Sequence, residues 1–199
     1  MLSALRLPRS YIGDISINTG NNMRVLIVFN HPCENSLCSS VLSSVIEGLS
    51  KAGHQIDIIN LDKDNFDPVV KTKDYQAFKC SREQPIDAYQ LMDTKVINYK
   101  KRMEKANHIV FIFPIWRTLM PAMIKGFIDK LIFPGIAFDY NLDGSQIYNR
   151  LDKLHSITLI ATTSVHSLLY QLFLSYLIKK PCWLVFSGVS VLLIRNGWY

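Results

Sequence analysis

Arg24-Val-Leu-Ile-Val-Phe29 is a short run in which five consecutive residues are apolar and most are branched. A strand with one wet face alternates apolar and polar residues. A continuous apolar run of this length fits a strand covered on both faces, as in a parallel sheet flanked by helices. The next residues continue that reading. Asn30-His-Pro-Cys-Glu-Asn-Ser36 is a loop, and either Asn35 or Ser36 is placed to cap a helix. Leu37, Val41, Val45 and Leu42, Ile46, Leu49 then recur at helical spacing, and Gly53 supplies a stop. Gln55 to Leu61 makes a second strand, completing a βαβ unit.

Further along, residues 62–85 are polar, contain Pro68 and Pro85, and read as a long irregular connection. Asp87 to Lys105 reads as an amphipathic helix, and Ile109-Val-Phe-Ile-Phe113 as another fully buried strand. Pro121 to Ile132 is a helix with Pro121 in its first turn, where proline is tolerated. Leu154 to Ala161 is a strand, Leu168 to Lys180 a helix and Val189 to Ile194 a last strand. Strands alternating with helices imply an α/β fold with a doubly wound, five-stranded parallel sheet, for which the order 2-1-3-4-5 is the natural choice. Ligands in such sheets sit outside the carboxyl ends of the strands at the switch point, here between strands 1 and 3.

The 199 residues suit one α/β domain, expected to begin near Met23. Residues 1–22, with Pro8, Gly13 and Gly20 and weak periodicity, read as a poorly ordered extension, and no secretory signal is evident in them. Lys and Arg total 22 against 16 for Asp and Glu, a net charge of +6. The basic residues are interleaved with acids between Lys63 and Lys105, which is the pattern of a solvated face and not of a nucleic-acid surface. Cys33, Cys38, Cys80 and Cys182 show no CxxC spacing and read as free thiols of a reducing cytoplasm. Residues 156–178 lack Asp, Glu, Lys and Arg, but Thr158, Thr162, Thr163, Ser164, His166 and Gln171 argue against a membrane span. No HExxH or comparable metal spacing occurs, nor a GxSxG elbow.

The strand-end rule selects three loops. The first, from Asn30 to Ser36, runs into a helix N-terminus, where free N–H groups and the helix dipole favour a phosphate. His31 and Ser36 add side-chain donors. Neither GxGxxG nor GxxxxGK is present, which disfavours a Rossmann nucleotide site and an NTPase. The second loop, Pro114-Ile-Trp-Arg-Thr-Leu-Met120, sets Trp116 beside Arg117 at the switch point, where an aromatic ring can pack on a flat cofactor. The third, residues 162–167, offers the hydroxyls of Thr162 and Thr163, with Tyr170 a short way into the following helix.

The His31-Pro-Cys-Glu-Asn-Ser36-Leu37 loop resembles the HPxxxS loop of NAD(P)H:quinone reductases and their bacterial relatives. The block from Phe113 to Lys130 is similar to that family's FPLWWxxMPAxxKG[FW]xD[KR] signature, and Gly135-Ile-Ala-Phe138 to its GFAY-type loop. The resemblance covers roughly Arg24 to Ile194. It implies a flavodoxin-like fold, FAD or FMN as cofactor, NAD(P)H as co-substrate, a quinone-like acceptor and a homodimer with active sites at the interface. Two electrons would pass by ping-pong hydride transfer. His31, Ser36 and Leu37 would hold the flavin phosphates. Pro114, Ile115, Trp116 and Arg117 would lie along the isoalloxazine, and Thr162, Thr163 and Ser164 at its other edge. Phe138 and Tyr140 would reach toward the partner's substrate pocket, and Tyr170 would be the active-site tyrosine. Arg117 replaces the family's second aromatic, Leu119 replaces a glycine, and Thr162-Thr-Ser-Val165 replaces TTGG. Two other readings fit the same motifs: a flavodoxin-type electron carrier, and a regulatory flavoprotein subunit of a membrane transporter.

Overall fold

The computed structural model describes residues 22–81, 90–117, 119–140, 147–163 and 189–195, the last segment as backbone. In chain order the elements are β1 (Arg24–Phe29), α1 (Leu37–Lys51), β2 (Gln55–Asn60), α2 (Thr72–Cys80), α3 (Thr94–Met103), β3 (His108–Pro114), α4 (Ala122–Leu131), β4 (Phe138–Tyr140), β5 (Ile147–Asn149), β6 (Ser156–Thr163) and β7 (Val189–Arg195). The parallel sheet runs β2-β1-β3-β6, with β7 beside β6. The order of the first four strands is the one expected, and chain reversal on either side of β1 puts the switch point between β1 and β3.

Alternation along each strand divides the core between two faces. Leu26, Val28, Phe111, Phe113 and Leu159 point to one face and are covered by Tyr99, Met103, Ile124, Phe127 and Leu131 of α3 and α4. Val25, Ile27, Phe29, Val110, Ile112 and Ile160 point to the other, under Cys38 and Val41 of α1. Both faces are dry along β1 and β3, so those strand sequences have no polar alternation. Each fully buried Val, Leu, Ile or Phe side chain contributes roughly 1.5–3 kcal/mol. Among the described residues no helix is long and apolar enough to cross a membrane.

Four expectations are corrected. The connection over 62–85 contains α2, whose start is held by the Lys71 N–H donating to Asp74 Oδ2 at 2.8 Å. Its sequence is so polar that only Ala77 is buried, and a buried ion pair from Lys130 Nζ to Asp74 (3.4 Å) docks it on α4. The helix expected over Asp87–Lys105 is interrupted at Asp93, which is extended (φ −63°, ψ 138°) and caps α3 by accepting from the Lys95 N–H at 2.9 Å. Pro121 is the N-cap of α4 and so stands one position before its first turn. The segment around Phe138 is an antiparallel hairpin, β4–β5, with Phe138 opposite Asn149 and an Asp139–Arg150 ion pair across it. The helix expected over Leu168–Lys180, with Ser164, Val165 and Tyr170, lies outside the described residues.

Candidate functional site

The site begins where β1 ends. The Asn30 N–H donates to Ile112 O at 3.1 Å, extending the ladder one residue past the strand. Its side chain is buried, and Nδ2 donates to Asp62 Oδ2 at 2.7 Å, tying the ends of β1 and β2 together. Asn30 Oδ1 is buried without a partner. The chain then turns, and the Cys33 N–H donates to His31 Nδ1 at 3.0 Å. The same ring nitrogen lies 3.1 Å from Cys33 O, so the imidazole is held against the backbone of Cys33.

Ser36 is the N-cap of α1, in extended geometry (φ −100°, ψ 163°), its Oγ accepting from the Ser39 N–H at 3.1 Å. The N–H groups of Leu37 and Cys38, at the first two helical positions, have no acceptor within the helix. The first turn carries no acidic side chain, so nothing in the helix itself answers the positive end of a 15-residue dipole. This is an anion site of the type found at helix starts.

At the end of β3 the Trp116 and Leu119 backbones exchange two hydrogen bonds, each 3.0 Å, closing a two-residue turn. Arg117 takes a left-handed conformation there, with φ +50°. A positive φ at the first central position defines a primed turn, usually occupied by Asn or Gly, and costs an Arg about 1–2 kcal/mol. Strain of this kind concentrates at functional positions. The turn leaves Trp116 46% and Leu119 51% exposed, and sets the Trp116 indole edge-on to His31, with centroids 6.2 Å apart.

The third loop joins the other two through Thr162. Its carbonyl accepts from the Ile115 N–H at 2.7 Å, and its hydroxyl lies 3.1 Å from the Cys38 thiol. Burial pushes the Cys38 thiol above its ordinary range, against a smaller opposing effect of the Thr162 hydrogen bond, so the thiol is neutral. Pro114 stands opposite Thr162 in the ladder, and Thr162 and Thr163 are both buried.

The structure therefore brings together His31, Ser36, Leu37, Pro114, Ile115, Trp116, Arg117, Thr162 and Thr163. It places Phe138 in the main core with 7% exposure, beneath the hairpin that Tyr140 and Ile147 close. Ser164 and Tyr170 lie outside the described residues. Sequence reasoning passed over Asn30, Asp62 and Cys38 as site residues. Asp62 carried one usable signal, an acid just past the second strand, while the pairing of Cys38 with Thr162 joins positions 124 residues apart and has no local signature. Among the described residues no group of three His, Cys, Asp or Glu is placed to hold a metal.

These groups fit a flavin: an unanswered helix start for its phosphate, and a half-exposed indole at the switch point for its ring. Residues 23–173 match the family described as having a flavodoxin-like fold, and the chain belongs to that family. It is 27% identical over 124 residues to the ribosyldihydronicotinamide dehydrogenase (quinone) of Rattus norvegicus, covering 58% of this chain and 54% of that protein. It is also 27% identical over 156 residues to NAD(P)H dehydrogenase (quinone) 1 of the same species, covering 73% and 56%. The chain spans about half the length of these relatives. Among solved structures, Smu.1420 from Streptococcus mutans UA159 superposes with a TM-score of 0.69 at 27% identity, covering 87% of each chain. The NAD(P)H:quinone oxidoreductase of Methanothermobacter marburgensis superposes with a TM-score of 0.75 over 88% of this chain and 87% of its own, and at 23% identity it speaks to the fold alone.

Proposed function

We propose that the chain is a flavin-dependent NAD(P)H oxidoreductase that delivers two electrons to a quinone-like acceptor. The observation that carries this reading is the meeting of His31 and Trp116, which sets an anion-binding helix start directly beside an exposed aromatic surface. The names of the relatives, quinone dehydrogenases, support the acceptor class.

When bound, FAD or FMN supplies the two-electron chemistry, and the protein supplies position and electrostatics. In this reading Leu37 and Cys38 hold the phosphate through their N–H groups, with Ser36 and His31 shaping the loop. Trp116 and Leu119 pack against the ring, while Pro114, Ile115, Thr162, Thr163 and Ser164 border it. Arg117 opposes negative charge developing on the ring system. NAD(P)H and acceptor take turns at one face, in ping-pong order. Tyr170 contacts the reacting partner. The full sheet has the five-strand order β2-β1-β3-β6-β7, and two copies assemble in the cytoplasm with each β4–β5 hairpin, which carries Tyr140, bordering the other's pocket.

The test is to purify the full chain, record its visible spectrum, identify the released flavin and follow NAD(P)H oxidation with menadione. A yellow protein that oxidises NAD(P)H only when the quinone is added is the expected result. A colourless protein that cannot be reconstituted with either flavin overturns the reading.

A further inference from the structure

We infer that the outer edge of β2 is a strand-pairing surface that fits the same strand of a second copy, and that Arg102 keeps it closed. This goes beyond the flavin reading and does not depend on it.

β2 ends the parallel sheet, with β1 as its one strand neighbour among the described residues. The Gln55 N–H donates to Met23 O and the Leu61 N–H to Phe29 O. In a parallel ladder alternate residues turn both backbone groups to the same neighbour. Gln55, Asp57 and Ile59 therefore face β1, while Ile56, Ile58 and Asn60 present their N–H and C=O groups outward. Such a row is a template for another strand. Its carboxyl end is closed locally, because Asn60 O accepts from the Asp64 N–H at 2.9 Å. Its middle is closed from α3. Arg102, in the last turn, grips the Asp57 carboxylate through Nε to Oδ2 at 3.0 Å and Nη2 to Oδ1 at 2.5 Å. The same Nη2 reaches around the edge and donates to Ile58 O at 2.7 Å. An arriving strand needs that carbonyl and meets a guanidinium on it. The Ile58 N–H and both backbone groups of Ile56 have no partner among the described residues, so removal of Arg102 leaves an open run.

The strand is suited to pairing once it is open. It contains neither Pro nor Gly, and Ile58 is 38% exposed at its centre. Register identifies the occupant. An antiparallel pair about a two-fold axis at Ile58 sets Ile58 against its own copy and Ile56 against Asn60. Each Asp57 then falls opposite Ile59 and not opposite the other Asp57, so no like charges meet directly across the pair. The product is one sheet running through both copies.

The test compares wild type with the double variant Asp57→Asn/Arg102→Gln, which removes the guanidinium without leaving a bare carboxylate. Sedimentation velocity reads the mass, hydrogen exchange reads the edge, and circular dichroism checks that each protein is folded. Whatever the wild-type assembly, the double variant is expected to form a species of twice that mass. Its association constant is expected to exceed that of wild type by about tenfold or more, since each edge no longer holds a charged hydrogen bond that pairing must break. In that species the Ile56 and Ile58 amides gain protection. Adding Ile58→Lys, a charge at the centre of the edge, returns the mass to that of wild type. Should the double variant fail to fold, Asp57→Asn alone leaves Arg102 in place with a looser hold and carries the same expectation. A mass equal to wild type at every concentration, association that survives Ile58→Lys, or association without protection of the two amides overturns the inference. None of these measurements involves a flavin, so each outcome leaves the oxidoreductase reading where it was.

Discussion

The Cys38 thiol and the Thr162 hydroxyl, 3.1 Å apart, couple the first turn of α1 to the carboxyl end of β6. Cys38 is 1% exposed and held neutral by burial, whereas Cys33, five residues earlier on the loop, is open to solvent. Thiolate reagents attack what is exposed and ionised. Peptide mass spectrometry after brief treatment of the native protein with an alkylating agent is expected to find Cys33 modified and Cys38 intact, with Cys38 labelled only in denaturant. Labelling of native Cys38 at a rate like that of Cys33 would show that the link is not formed in solution.

Trp116 is half exposed and contributes little to the core, so its replacement separates binding from folding. Trp116→Ala is expected to leave the melting temperature within a few degrees of wild type, since surface substitutions usually stay within about 0.5 kcal/mol. Flavin affinity is expected to fall about tenfold or more through loss of aromatic contact with the ring. Parallel thermal melts and flavin titrations measure the two effects. An unchanged affinity would remove Trp116 from the site.

Arg117 carries the strain of the primed turn at φ +50°. Arg117→Gly relieves it, because glycine enters the left-handed region freely, though part of the gain is offset by the greater freedom of the unfolded chain. The expected net is a stability at or above wild type by up to about 1 kcal/mol, together with a lower midpoint potential as a fixed cation is lost. Redox titration checks the second part. A potential equal to wild type would end the electrostatic role given to Arg117.

What was legible in the sequence follows from which forces are local. β1 and β3 were readable because a strand dry on both faces must be written as an unbroken apolar run, and Phe111 and Phe113 leave no other reading. The helix start at Ser36 was readable because capping is a contact between near neighbours. The helix α2 was not, because its one buried residue, Ala77, creates no periodicity and its placement depends on Lys130, 56 positions beyond Asp74 in the chain. The family block was recognised as a mark of the cofactor, yet much of it serves packing: Phe127 fills the core, Lys130 holds α2, and Gly126 lets the segment at Pro68 cross α4. The contacts that assemble the site, His31 with Trp116 and Cys38 with Thr162, join distant positions and are visible only in the fold.

Gly126 gives that packing a direct test. A Cβ built there would lie 2.3 Å from Pro68 O and 2.4 Å from Pro68 Cα, both backbone atoms that cannot swing aside. Gly126→Ala would raise helix propensity at an ordinary position, but here the clash dominates. The expected loss is at least the roughly 1–3 kcal/mol typical of overpacking, read by urea denaturation. Stability equal to or above wild type would mean that the Pro68 segment is not seated on α4.

At the opposite end of the sheet from the site, His108 is buried at the start of β3, with Nδ1 2.6 Å from Ser156 Oγ. Burial first, and then the neighbouring His54, lower its pKa from 6.5 to about 4. The folded protein therefore holds this ring neutral where the unfolded chain protonates it. Between those two values the unfolded state binds more protons, so stability rises with pH. The contribution is complete above about pH 6.5 and is lost as pH falls toward 4, to a total on the order of 3 kcal/mol. Urea midpoints measured at pH 7.5, 6 and 5 are expected to decline for wild type, and to decline less for His108→Gln, which keeps a polar group beside Ser156 but cannot take up a proton in this range. Identical pH profiles for the two proteins would show that acid sensitivity arises elsewhere in the chain.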